Sequence, residues 1–197
     1  MVALEETENE PWSLLPWGAI IYAAIILAAI GTVLLIRAFL IEPFSIPTES
    51  MCDTLKVGDS VLTEKVTLEL GGTVSQGDII VFENPEKDSG KDVLCKRVIA
   101  RGGQTIDMRD GSLYIDGKKV TEDYAKGESW PLYLGEGKRL SYPYKVPEGE
   151  IWVMGDNREN SADSRYFGAV PEDSVIGICV MRYLPLNRFG VFGVGFF

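Results

Sequence analysis

From Trp17 to Ile41 the chain carries a single charge, Arg37, and otherwise reads as one apolar run. Its uncharged part, Gly18–Ile36, is about 19 residues, the length that crosses a hydrocarbon layer of roughly 30 Å. It is too long for the apolar stretch of a signal peptide, no basic segment precedes it, and no small-residue cleavage site comes before Arg37. Trp12, Trp17 and Phe39 stand where interfacial aromatics are expected, and Arg37 can extend its head group to the polar boundary. A single membrane-spanning helix over 17–41 is therefore predicted, behind a short acidic tail, 1–16, that holds Glu5, Glu6, Glu8 and Glu10.

After Phe44 the pattern changes to short runs with β character. Strands are predicted at Ser60–Lys65, Asp78–Phe82, Val93–Ala100, Ile151–Met154 and Val175–Tyr183. Between 105 and 120, three short runs are separated by Asp110-Gly111 and Asp116-Gly117. Asp-Gly between alternating runs favours a type I′ turn, so this stretch predicts a β-meander. Residues 122–150, rich in Gly, Pro, Trp and Tyr, predict an extended loop or inserted hairpin. The Gly- and Phe-rich tail Phe189–Phe197 suits either a membrane surface or a last strand in the core. The fold class that follows is mainly β: an irregular antiparallel sheet domain over 42–197, preceded by one transmembrane α-helix.

Composition narrows the chemistry. The net charge of −10 lacks the basic footprint of a nucleic-acid-binding protein. There is no histidine, which excludes Ser-His-Asp and Cys-His mechanisms and His-ligated zinc. A hydrolase built on this chain must take its base from Lys, Asp, Glu, Tyr or a terminal amine. The three cysteines, Cys52, Cys95 and Cys179, are odd in number and widely spaced, and are expected as small buried apolar residues.

Three segments combine reactive groups with unusual surroundings. Lys96 and Arg97 interrupt an apolar strand, and alternation sends them to opposite faces, so one must point to a buried side or a cleft. The alternatives are an edge strand guarded by a charge and a lysine held neutral by burial. A free lysine titrates near 10.4, so only about one in a thousand is neutral near pH 7.4. Lowering it by about three pH units costs roughly 4 kcal/mol, which burial can supply. A serine nucleophile needs such a base within hydrogen-bond reach. Ser50, three residues beyond the chain-fixing Pro47, is a candidate, though Thr48, Ser50 and Thr54 also suit an ordinary turn. The third segment, Gly155–Arg165, gathers Asp156, Arg158, Glu159, Asp163 and Arg165 between apolar runs, either as a solvated loop or as a buried network that fixes geometry.

Taken together, these segments resemble the bacterial type I signal peptidase family. Its first box reads roughly Pro-Ser-x-Ser-Met-x-Pro-Thr-Leu, then Gly-Asp; here it is Pro47-Thr48-Glu49-Ser50-Met51-Cys52-Asp53-Thr54-Leu55, then Gly58-Asp59. The boxes Gly-Asp-Ile-Val-Val-Phe and Lys-Arg-Val-Ile are matched by Gly77–Phe82 and Lys96–Ile99, and Gly-Asp-Asn-Arg-x-Asn-Ser-x-Asp-Ser-Arg by Gly155–Arg165. Two departures stand out: Asp53 replaces the usual proline, and Ala100-Arg101-Gly102-Gly103-Gln104 replaces the usual Gly-Leu-Pro-Gly-Asp.

The resemblance implies Ser50 as nucleophile and Lys96 as general base, with Ser161 hydrogen-bonded to the lysine. It implies an oxyanion hole from the Ser50 N–H and the Thr48 hydroxyl, with Met51 lining the substrate pocket. Arg97 with Asp156, and Asp163 with Arg165, would be structural ion pairs. The implied activity is removal of signal peptides from preproteins with small residues one and three positions before the cut, through an acyl-enzyme and without cofactor or metal. The implied location is the cytoplasmic membrane, with the catalytic domain outside. Local charge leans the other way, with no Lys or Arg before the helix against Arg37 and Lys56 after it. The rivals are a self-cleaving Ser/Lys repressor-type protease, which the spanning segment and complete last box disfavour, and a membrane-tethered β-domain that only binds partners.

Overall fold

The structure is a computed structural model, and it describes residues 17–86, 90, 92–132 and 140–193. The acidic tail 1–16, the middle of the 122–150 segment and the last four residues lie outside the described residues. The chain divides into two units, 1–38 and 39–197.

The first unit holds all but the last residue of helix α1, Trp17–Phe39, which has 23 residues. At 1.5 Å per residue it is about 34 Å long, enough to cross a bilayer core. None of the side chains in its apolar window is buried against protein. The Thr32 hydroxyl donates to the Ala28 carbonyl at 2.9 Å, so it needs no water partner. The helix closes at Phe39, and Ile41, predicted as its last residue, instead opens a strand.

The second unit is built from β1 (Ile41–Ser45), β2 (Ser60–Glu64), a single-turn helix α2 (Val66–Glu69), β3 (Ile79–Glu83), β4 (Val93–Arg101) and the meander β5 (Thr105–Arg109), β6 (Ser112–Ile115) and β7 (Lys118–Lys119). Then come β8 (Tyr144–Lys145), β9 (Glu150–Met154), the short helix α3 (Ser164–Phe167), β10 (Val170–Pro171), β11 (Val175–Leu184) and β12 (Gly190–Val191). The larger sheet runs β1-β2-β11-β3-β4-β9-β10, with β12 added on β11, and the smaller runs β7-β6-β5-β8. Every strand pair is antiparallel. This is the mainly β fold expected.

The meander follows from its two turns. Asp110 and Gly111 have φ of 50° and 69°, and Asp116 and Gly117 have 50° and 76°. Two successive positive φ values define the type I′ turn, whose twist matches that of the strands it joins. At the departure after β4, Gly102 lies where a Cβ would come within 2.8 Å of the Pro147 carbonyl oxygen, and Gly103 has a φ of 85°. Glycine lets the chain turn tightly there without the usual proline.

Strand β9 is buried on both faces. Ile151 and Val153 enter one core with Ile80, Phe82, Val98 and Ile178, while Trp152 and Met154 enter another with Ile99, Ile106 and Leu113. Trp152 packs against Tyr144 at 4.8 Å between ring centroids. The Gly155–Arg165 segment thus leaves a strand fixed from both sides. A third core, Ile46, Met51, Leu55, Val61, Ile79, Val81 and Cys179, lies beneath the first box. Trp152→Ala should lower unfolding stability by about 3–5 kcal/mol, because it empties the centre of the second core. Denaturant unfolding of the detergent-solubilised protein checks this.

Candidate active site

Ser50 sits in a one-turn 3-10 helix, Glu49–Met51, on the connection from β1 to β2. The stem of this connection is zipped by Ile46 N–H to the Asp59 carbonyl and Gly58 N–H to the Ile46 carbonyl, both 2.9 Å. Met51 and Leu55 anchor it from below in the third core. Met51, expected to line a pocket, is fully buried there, while Phe44 and Cys95 are among the half-buried members of the same cluster. Ser50 is 8% exposed, and the Thr48 and Ser50 hydroxyl oxygens are 3.2 Å apart.

Two contacts fix the Ser50 backbone against the last box. The Asn157 N–H donates to the Ser50 carbonyl at 3.0 Å, and Asn157 Nδ2 donates to the Glu49 carbonyl at 3.2 Å. Gly155 lies so close that a Cβ there would meet the Ser50 carbonyl oxygen at 2.5 Å and Ser161 Cβ at 2.6 Å. No larger residue fits without moving the turn. Ser161 is therefore beside Ser50, but among the described residues its buried hydroxyl makes no hydrogen bond. The predicted bond from Ser161 to Lys96 is not formed in this conformation, in which the hydroxyl lies over Gly155.

Lys96 stands in the middle of β4 opposite Ile80 and is 3% exposed. The Ser50 turn packs on this strand. Asp163, wholly buried, feels the lysine as well. Burial pushes its carboxyl up, but Arg165, the Gly155 N–H and the charge of Lys96 outweigh that and hold it below the usual range. Arg165 Nε and Nη2 each donate to Asp163 at 2.9 Å, and the Gly155 N–H does so at 3.0 Å. Asp163 also caps α3, accepting from the Arg165 N–H at 3.2 Å.

Asp156 forms the other ion pair. Arg97 donates to it through Nε at 2.8 Å and Nη2 at 2.6 Å, and the Thr54 hydroxyl donates at 2.5 Å. One buried carboxylate thus ties the Ser50 connection, the Lys96 strand and the last box together.

Sequence reasoning missed the strap that closes over this network. Arg158, fully buried, donates to both Glu122 carboxylate oxygens at 2.7 and 2.6 Å, to Ser129 Oγ and to the Gly155 carbonyl. The Lys126 N–H donates to the Asp156 carbonyl at 2.7 Å, and the Lys126 carbonyl accepts from the Arg158 N–H at 2.9 Å. The Arg97 guanidinium lies 4.0 Å from the centre of the Tyr124 ring. Burial and the neighbouring Glu122 push the Tyr124 hydroxyl well up. The available signal was Arg158 itself, a buried-looking cation with no counter-charge assigned.

The cysteines are free, and only Cys179 is buried. Cys52 and Cys95 are half-exposed, contrary to the expectation of three buried apolar residues; the Cys52 thiol donates to Asp53 at 3.2 Å. Among the described residues no cluster of three or more cysteines and carboxylates is placed to hold a metal ion.

With this geometry established, similarity to known proteins is specific. The family described as "Signal peptidase, peptidase S26" matches residues 19–184. A probable signal peptidase I-1 of Synechocystis is 39% identical over 166 residues, covering 81% of this chain and 80% of that protein. Signal peptidase I T of Bacillus subtilis is 39% identical over 158 residues, 79% of this chain and 80% of its own. A crystal structure of a signal peptidase I from Enterococcus faecalis is 33% identical, with a TM-score of 0.40, covering 53% of this chain and 94% of that one.

The depressed carboxyl of Asp163 makes a prediction with a definite sign. Its contribution to stability is fully present above the unfolded carboxyl value of about 3.9 and is lost as pH falls through its lower folded value. Asp163→Asn should cost about 3–5 kcal/mol near neutrality by leaving Arg165 buried without its partner. It should also flatten the loss of stability on acidification, read from unfolding midpoints between pH 7 and pH 3.

Proposed function

The chain belongs to the peptidase S26 family of signal peptidases, and from that membership we propose that Ser50 and Lys96 are the reacting pair of a membrane-bound serine endopeptidase that removes signal peptides from exported preproteins. The observation that carries the assignment is a buried lysine on the strand against which the Ser50 turn is packed. Burial penalises the ammonium form, which is what a lysine needs to act as a base. With no histidine in the chain, no imidazole competes for that role.

In this mechanism the preprotein lies extended along a strand edge beside Ser50. In an extended strand, side chains two residues apart share a face. That supports paired recognition of small residues at the first and third positions before the cut, next to the apolar surface of Phe44 and Cys95. Ser50 Oγ attacks the carbonyl carbon, and Lys96 Nζ takes the hydroxyl proton and passes it to the leaving amine. The resulting acyl-enzyme is released by water, with Lys96 again the base. The Ser50 N–H and the Thr48 hydroxyl face the developing oxyanion; the proximity of the two hydroxyls supports Thr48 in that part. Ser161, in contact range of Gly155, steadies the site beside Ser50.

Ser50→Ala and Lys96→Ala should each reduce kcat on a synthetic Ala-x-Ala preprotein by at least about 10³-fold while unfolding midpoints stay close to wild type. Lys96→Arg should be equally inactive, because guanidinium keeps its proton. Wild-type kcat should rise on the alkaline side of neutrality, since only the neutral amine accepts a proton. Neutral-pH activity surviving in Lys96→Ala, or an acid optimum, refutes the lysine base.

The catalytic unit lies outside the cytoplasmic membrane in this reading, with the residues before Trp17 in the cytoplasm. A signal-peptide cleavage site emerges on the far side of the bilayer, and only a short stretch of chain separates Ile41 from Ser50. Arg37 and Lys56 oppose this by the positive-inside rule, but two charges weigh little against translocation of a large domain. Protease added to intact spheroplasts should digest the 60–183 domain; full protection until lysis would reverse the orientation.

A further inference from the structure

The family match ends at residue 184, yet the ionic contacts of the Ser50 connection continue past it. Asp59, at the foot of that connection, is 1% exposed. Its carboxylate accepts from the Lys56 N–H at 2.8 Å and from Arg188 Nη1 at 2.7 Å, and lies 3.6 Å from Arg182 Nη1. Arg182 Nη1 also donates to the Thr54 carbonyl at 2.7 Å, and Arg182 Nε donates to the Arg188 carbonyl. The far side of Thr54 is held by its hydroxyl on Asp156. Thr54 is thus gripped from both sides, by the last box through its side chain and by the C-terminal segment through its backbone.

Apolar burial and strand pairing account for only part of the C-terminal segment's position: Phe192 packs half-buried against the third core and β12 pairs with β11, yet the apolar side chains before Phe192 stay exposed. Leu186 and Phe189, which flank Arg188, are 77% and 56% exposed, and Val191 is 68% exposed. What Pro185–Val191 turns inward is the Arg188 guanidinium and the Arg188 carbonyl, and both end on the Asp59–Arg182 pair. An ionic lock of this kind has one obvious beneficiary. Residues 54–59 form the descending limb of the connection whose ascending limb carries Thr48 and Ser50, and the two limbs meet at Ile46 and Asp59.

We propose that Arg188, acting through Asp59 and Arg182, is a positioning residue for the nucleophile, so that the segment beyond β11 is a working part of the catalytic apparatus. It touches neither substrate nor reacting atoms. It sets the height of the Thr54 carbonyl and, through the closed connection, the placement of Ser50 against Lys96. The proposal rests on the Ser50–Lys96 assignment. A misplacement of about 1 Å at a reacting centre can cost on the order of 10²-fold in rate, while substrate that pairs with strand edges should bind as before.

The test uses the full-length protein in detergent, with Arg188→Met, which keeps the stem and drops the guanidinium, and Arg188→Lys. Arg188→Met should lower kcat about 10- to 100-fold with KM within about twofold of wild type, and without changing the shape of the pH profile. Arg188→Lys should recover at least about a third of wild-type kcat, because an ammonium can still reach a buried carboxylate. Should Arg188→Met not fold, the double variant Asp59→Asn/Arg188→Gln replaces it. It buries no unpaired charge at these two positions, but its one amide oxygen at position 59 cannot serve every donor that Asp59 serves, so kcat should again fall at unchanged KM. Wild-type kcat in the variant used, a loss confined to KM, or no rescue by lysine overturns the proposal. Ser50→Ala and Lys96→Ala run alongside: if either retains activity, the dyad assignment has failed, whereas inactive dyad variants beside a fully active Arg188 variant fail the lock alone.

Discussion

The Asp156 carboxylate is the junction on which the site depends. Charge buried this deeply is tolerated only when its hydrogen bonds are complete. Here three donors from two other segments complete them: two from Arg97 and one from Thr54. Arg97 follows Lys96 on β4, and Thr54 follows Ser50 within the same connection. The requirement to satisfy one carboxylate therefore fixes the relative positions of the two residues assigned to the chemistry. Neither residue needs to contact Asp156 for this to hold.

A second layer of the same logic lies outside the first. Arg158 satisfies the Gly155 carbonyl and takes Glu122 as its counter-charge, and the Lys126 backbone bridges Asp156 and Arg158. Tyr124 covers the outer face of Arg97. Excluding water from Arg97 and Asp156 strengthens their attraction, so the strap over the network stiffens it even though it adds no reacting group. The strap's own contacts to the last box are charged or backbone-to-backbone, which gives them direction that apolar packing would lack.

The sequence disclosed the parts of this arrangement that are local. Two Asp-Gly pairs specify a turn type by backbone preference alone, and the meander stands where they put it. The apolar strand around Lys96 and the apolar flanks of Gly155–Arg165 left burial and exposure both open, and burial is found. What stayed hidden was non-local or masked by a neighbour. Ile41, the first residue of β1, falls within the predicted helix because Leu40 and Ile41 continue the apolar run, and β1 carries Pro43 in its interior. As an edge strand, β1 tolerates that proline. Glu122 and Arg158 are 36 residues apart, and Asp59 and Arg188 are 129 apart, so no periodicity links them. The misjudged cysteines, Cys52 and Cys95, are half-exposed, one in the turn after Met51 and one on β4.

For the base proposed at Lys96, the absence of histidine sets the requirement on its surroundings. An imidazole titrates near neutrality wherever it is exposed, so a site built on one does not need burial to obtain a neutral base. An amine does need it, and burial must be deep enough to oppose the ammonium yet arranged so that the surrounding fold survives it. A strand between β3 and β9 supplies the depth, since both its neighbours are buried strands. Asp163, whose carboxyl is lowered in part by Lys96, works in the opposite sense by attracting the charged form. Arg165 moderates this, because its two hydrogen bonds and full charge already occupy that carboxylate. The Asp163–Arg165 pair thus caps α3 and shapes the last box around the strand that carries Lys96.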